Sequence, residues 1–171
     1  MMTRRTLLLA GATFGAIAAM SNYGEAGTMT TATKTQDIDW KKLSDAEWHK
    51  RLTPMQYNVL RNHGTERPGS SRLLREHRKG TFVCAACALP LFSSAAKFES
   101  GTGWPSFYEP LPDAVETKTD RSFFMTRTEV HCRRCEGHLG HVFDDGPQPT
   151  GLRYCMNGVA LKFEPAPASS S

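Results

Sequence analysis

Apolar and polar positions divide the chain into stretches of different texture. A nearly continuous apolar run extends from Leu7 to about Met20, directly after the paired Arg4 and Arg5. It is short of the ~20 apolar residues a bilayer-spanning helix needs. A charged start and an apolar middle read instead as an export leader over residues 1–26. Gly24-Glu25-Ala26 supplies small residues for cleavage, as Ala18 or Ala19 also would. Residues 27–37 are Thr-rich and without period, as a linker is. The patterned part, 38–165, is expected to be one folded domain, and 166–171 a disordered tail.

Within that domain two helix starts are legible. Ser44-Asp45-Ala46-Glu47 has the form of a capping box, and so has Thr53-Pro54-Met55-Gln56, with proline at the first helical position. Short helices are predicted over about 44–51 and 54–63, the second stopped by Gly64. From Gly80 onward the period changes. Glycine and proline punctuate short runs such as Thr81–Cys84, Ser122–Met125 and Val159–Phe163. Many are alternating or rich in β-formers, which predicts antiparallel strands. No internal repeat is present.

Composition narrows the partners. A chain of 171 residues with 39% hydrophobic and 9% aromatic content suits a single globular domain. The formal charge of +4 is spread without a run of basic residues, so a nucleic-acid partner is not expected. Adjacent arginines before the apolar run point to twin-arginine export. The expected location is the bacterial periplasm, or its membrane if the leader stays attached.

The five cysteines are two close pairs and one loner. Cys84/Cys87 and Cys132/Cys135 can supply the four thiolates of a closed tetrahedral Zn²⁺ site. The 44 residues between the pairs would make such a site a clasp between distant hairpins. Two disulfides, or two redox dithiols, are the alternatives. Twin-arginine export carries folded proteins, which would let zinc load first in a reducing compartment. Cys155 remains. On a strand it would share a face with Arg153 and Asn157, opposite Tyr154 and Met156. A neighbouring arginine favours thiolate, the nucleophilic form, although a lone strand cysteine also serves as a small buried hydrophobe.

Two other segments concentrate chemistry. Gly137–Pro147 holds His138, His141, Asp144 and Asp145 among glycines, with the histidines three apart and Gly140 open to close approach. Imidazoles donate protons near neutral pH. The pair could equally be surface histidines or extra metal ligands, and Asp145 a turn residue. Gly101-Thr102-Gly103-Trp104-Pro105-Ser106-Phe107 is a tight loop whose Trp104 is either core or the apolar wall of a pocket.

Taken together, five motifs from Asp39 to Pro165 resemble the methionine-R-sulfoxide reductases of the B type, the peptide-methionine (R)-S-oxide reductases. They are Cys84-x-x-Cys87, Ser100 to Phe107, Cys132-x-x-Cys135, His138-Leu-Gly-His141-Val-Phe143 and Arg153-Tyr-Cys155-Met-Asn157. The resemblance implies a mainly β fold of two small antiparallel sheets with short N-terminal helices. It makes Cys155 the nucleophile that leaves a sulfenic acid. His138, His141 and Asn157 become the groups that organise the sulfoxide, Asp145 a supporting acid and Arg153 a neighbour of the nucleophile. Trp104 and Phe143 line the substrate site, and Cys84, Cys87, Cys132 and Cys135 hold structural Zn²⁺.

The implied substrate is methionine-R-sulfoxide in oxidised proteins or peptides, and a monomer is expected. Many members carry a resolving cysteine where this chain has Thr102. Regeneration would then fall to an external thiol, thioredoxin-like or small. The segment Glu66–Leu74 also lacks the aromatic usual there. Two rivals stand beside this reading. A non-enzymatic zinc module would leave His138, His141 and Trp104 idle, and a dithiol oxidoreductase built on Cys84/Cys87 is excluded if those sulfurs bind metal.

Overall fold

The computed structural model describes residues 38–122 and 125–167; the expected leader 1–26, the expected linker 27–37 and residues 168–171 lie outside them. Both capping boxes are present. Ser44 caps α1 (Asp45–Arg51), with Glu47 returning to the Ser44 N–H. Thr53 and Gln56 do the same for α2 (Pro54–Asn62). These reciprocal bonds satisfy amide donors that an uncapped helix would leave orphaned. His63, not Gly64, takes the left-handed position that ends α2, at φ 55°. No helix among the described residues is long and apolar enough to cross a membrane.

The rest is antiparallel sheet. β1 (Gly80–Cys84) lies between β2 (Pro90–Ser93) and β9 (Leu161–Pro165) in a three-stranded sheet. The other six strands are β3 (Lys97–Phe98), β4 (Ser106–Phe107), β5 (Val115–Asp120), β6 (Arg127–Cys132), β7 (His138–Phe143) and β8 (Arg153–Met156). They form a second sheet in the order β3-β4-β8-β7-β6-β5. Two small antiparallel sheets with helices at the N-terminal side is the architecture the resemblance implied.

The strand expectations hold in part. Thr81–Cys84 lies in β1, and Leu161–Phe163 in β9 after a 3₁₀ turn at Gly158–Ala160. Ser122 and Met125, by contrast, belong to the turn between β5 and β6, where the Met125 N–H donates to the Ser122 carbonyl. Met125 is 52% exposed, and residues 123–124 of that run lie outside the described residues. Ala166 is tied back by its N–H to the Lys79 carbonyl at 2.9 Å.

The core sits between the sheets. Phe107 of β4 stacks on Phe92 of β2 at 4.4 Å and meets Phe82 of β1 edge-on at 4.9 Å. Trp48, Leu52, Val59 and Leu60 bring the helices onto the same core. Fully burying each such aliphatic side chain contributes about 1.5–3 kcal/mol. This core fixes β8 in the middle of the larger sheet, and β8 carries Cys155.

Candidate active site

The four paired cysteines come together where the two sheets meet. Cys84 ends β1 and Cys132 ends β6, and each is followed by a turn of the same construction. The Ala88 N–H donates to the Cys84 carbonyl and the Glu136 N–H to the Cys132 carbonyl, both at left-handed φ. Each turn swings its second cysteine back beside the first. The Sγ atoms of Cys84 and Cys135 are 3.6 Å apart, those of Cys87 and Cys132 3.5 Å. A disulfide would need about 2.05 Å, whereas a tetrahedron of ~2.3 Å Zn–S bonds has edges of about 3.8 Å. Neighbouring thiols and burial push the Cys84 thiol well up, a cost to its thiolate that a bound cation would offset. The cluster is buried and could hold a metal ion.

Cys155 is half-buried in a separate cleft of about 130 Å³, lined by Thr65, Trp104, Arg127, Gly140, His141, Phe143 and Asn157. Its strand pairs with β4 on one side (Ser106 opposite Cys155) and β7 on the other (His141 opposite Cys155). Gly140 permits this pairing: a Cβ there would lie 2.1 Å from the Cys155 carbonyl oxygen. Its openness therefore serves the β8 backbone directly. The Cys155 Sγ is 3.6 Å from the Thr102 Oγ1, the end of a hydroxyl chain through Ser100 to Ser106.

Residues three apart on a regular strand face opposite ways, yet His138 and His141 lie with ring centroids 5.4 Å apart. β7 carries one extra residue against β6 between the Val130–Gly140 and His131–His138 pairs. This bulge restores a common face. His138 donates through Nδ1 to Glu129 at 2.9 Å, and His141 through Nε2 to Asp120 at 2.7 Å. Sequence reading missed both acids, which stand in unremarkable polar stretches and meet the histidines only across the sheet.

Burial pushes the His138 ring below its usual range despite Glu129, so it is neutral at neutral pH. Burial pushes Glu129 up, but His138, His63 and Lys118 together hold it below the usual carboxylate range. Ser122, first through its hydroxyl, and then His141 hold Asp120 well down, as a carboxylate.

The remaining expected site residues fall into two groups. Asp145 forms a two-pronged ion pair with Arg153 at 2.8 Å, and the Arg153 guanidinium lies 4.4 Å from the Phe143 ring centroid. Of the three only Phe143 lines the cleft, and Asp145 braces the arginine and not the histidines. Asn157 accepts from the Glu66 N–H through Oδ1 and donates to the Leu139 carbonyl through Nδ2, both at 3.0 Å. Trp104 is half-buried at the cleft, its Nε1–H donating to the Glu66 carbonyl at 3.2 Å.

Comparison with known proteins agrees with this geometry. Residues 52–165 match the model of the SelR domain. The chain is 60% identical over 122 residues to the peptide methionine sulfoxide reductase MsrB of Methanosarcina barkeri, covering 71% of this chain and 86% of that protein. It is 57% identical over 122 residues to that of Leptospira interrogans (71% and 93%) and 54% over 134 residues to that of Bradyrhizobium diazoefficiens (77% and 96%). A half-buried cysteine on a strand beside two carboxylate-held histidines, a cluster of four sulfurs and these relatives converge: the chain belongs to the methionine-R-sulfoxide reductase B family.

Proposed function

We propose that this oxidoreductase reduces methionine-R-sulfoxide in oxidised proteins or peptides through Cys155, with His141 as the proton donor to the sulfoxide oxygen. The observation that carries this reading is the β7–β8 register, which sets His141 opposite Cys155 on the cleft that Trp104 lines. The Cys155 thiolate attacks the sulfoxide sulfur as the oxygen is protonated. Oxygen passes to the cysteine, which becomes a sulfenic acid, and methionine leaves with its sulfur reduced. His141 suits the donor's part because it lies on the cleft opposite Cys155, with its ring held through Nε2 by the Asp120 carboxylate. His138, neutral and held by Glu129, packs against His141 and limits its tilt. A free N–H of Asn157 assists at the oxygen, and Trp104 takes the methyl group, so one hand of the chiral sulfur fits.

Two equivalents of an external thiol, thioredoxin-like or small, return Cys155 to the thiol and release water, since Thr102 offers no sulfur. The four-cysteine cluster holds Zn²⁺, which closes the clasp between the sheets and takes no part in these steps. The test is turnover of separate R and S epimers of a blocked methionine sulfoxide with dithiothreitol. Consumption of R alone is expected. One equivalent of R without reductant should leave a dimedone-reactive Cys155 and no disulfide; an internal disulfide would overturn the scheme.

We propose further that the leader 1–26 exports the folded domain by the twin-arginine route to the periplasm, on the strength of Arg4-Arg5 before the Leu7–Met20 run. Replacing both arginines by lysine should leave the protein in the cytoplasmic fraction. Undiminished periplasmic protein would refute that route.

A further inference from the structure

Glu66 stands outside every motif used above, in a segment that departs from the family pattern, and yet it touches two of the substrate-organising residues. It is buried, 6% exposed. Its carboxylate accepts from the backbone N–H of Gly158 at 2.5 Å and of Val159 at 3.0 Å, in the turn that follows β8. Among the described residues it has no cationic partner, so these amides are what hold the charge. Burial raises its carboxyl and the two N–H groups pull it back. The Glu66 main chain then does two further things. Its N–H donates to the Asn157 Oδ1, and its carbonyl accepts from the Trp104 Nε1–H.

The first of these bonds has a chemical consequence. A carboxamide has an oxygen end and a nitrogen end, and the sulfoxide oxygen needs a donor. With Glu66 N–H on Oδ1 and the Leu139 carbonyl on Nδ2, a flipped amide would set donor against donor and acceptor against acceptor. The nitrogen carries two hydrogens, so one stays free in the cleft that Asn157 lines. The second bond fixes the tilt of the indole. Gly103 reinforces it: its carbonyl accepts from the Gly69 N–H at 2.8 Å, and a Cβ on it would lie 2.7 Å from the Pro68 Cβ. The Trp104 loop and the Glu66 segment therefore move as one.

We infer that Glu66 is a positioning residue for the sulfoxide site, its carboxylate clamp holding the main chain that orients both Asn157 and Trp104. This rests on the sulfoxide reading proposed above. Glu66→Gln keeps the shape but leaves one of the two amides facing an NH₂ group. In the full-length, zinc-loaded protein it should lower kcat/KM for the blocked R epimer on the order of tenfold or more. Zinc content and a cooperative melting transition should be retained, the midpoint lowered only by the one amide left unpaired. Alkylation of Cys155 by iodoacetamide should stay within about twofold of wild type, because the thiol itself is untouched. Combined with Asn157→Ala, the loss should be smaller than the product of the two single losses.

A double mutant equal to that product would overturn the inference, as would an unchanged kcat/KM or a parallel fall in alkylation. Should Glu66→Gln not fold, Glu66→Asp enters the same cycle, and failure of both to fold would make Glu66 a folding residue and end the proposal. A wild type inert toward the R epimer would instead bring down the sulfoxide reading, and this one with it.

Discussion

Replacing Cys155 by serine is expected to abolish sulfoxide reduction, with kcat falling on the order of 10⁴-fold or more. A serine hydroxyl remains protonated at neutral pH where a thiol ionises in part, and oxygen cannot be carried through the thiol–sulfenic acid cycle. The fold should be indifferent to the change. Cys155 is only half-buried, its strand is held by backbone pairing to β4 and β7, and Thr102 and Ser106 already give the site hydroxyl neighbours. Steady-state turnover, thiol counting and melting temperature check this together. An unaltered melting curve with one thiol fewer and no turnover is the expected set. Activity above about one per cent of wild type would move the nucleophile elsewhere, since removal of a true nucleophile leaves far less.

Removing metal should have the other large effect, on folding. Structural Zn²⁺ in all-sulfur or mixed sites binds with about 10–16 kcal/mol, whereas domains are stable by about 5–15 kcal/mol. A clasp of that strength would account for most of the margin. The sulfurs come from two hairpins, β1–β2 in the smaller sheet and β6–β7 in the larger, so their release frees the sheets from each other at that end. Chelation under mild denaturant, or Cys135→Ser, should collapse the cooperative transition seen by circular dichroism and take activity with it. Atomic absorption should return about one zinc per chain beforehand. A metal-free protein with an unchanged melting temperature would refute the clasp.

The parts of this molecule that were legible in its sequence are those written locally or in rigid chemistry. Ser44/Glu47 and Thr53/Gln56 act over three residues, and both capping boxes formed. The split of the cysteines into pairs and a loner is arithmetic, and the pairs did converge. What stayed hidden depends on contacts across the sheet. Asp120 and Glu129 stand 21 and nine positions from the histidines they hold, and only the β5–β6–β7 pairing joins them. The bulge at β7 was equally invisible, because alternation alone sets His138 and His141 on opposite faces. Glu66 lies 91 positions from Asn157, and no spacing rule reaches that far. Ser122 and Met125 misled because apolar character was read without knowing that these two positions belong to a turn.

If Cys155 cycles through a sulfenic acid as proposed, the hydroxyl at Thr102, 3.6 Å from its sulfur, decides what wears the catalyst out. With a thiol in that place, every oxidised intermediate would be sealed at once as a disulfide. Here it waits, and while it waits a peroxide can carry it one rung further, to a sulfinic acid that ordinary thiols do not reverse. Working lifetime is then a race between two bimolecular encounters, so it scales with the ratio of reducing thiol to oxidant in the surroundings. The same oxidant that creates damaged methionine for the enzyme to mend also retires the enzyme, and the supply of electrons sets which happens first.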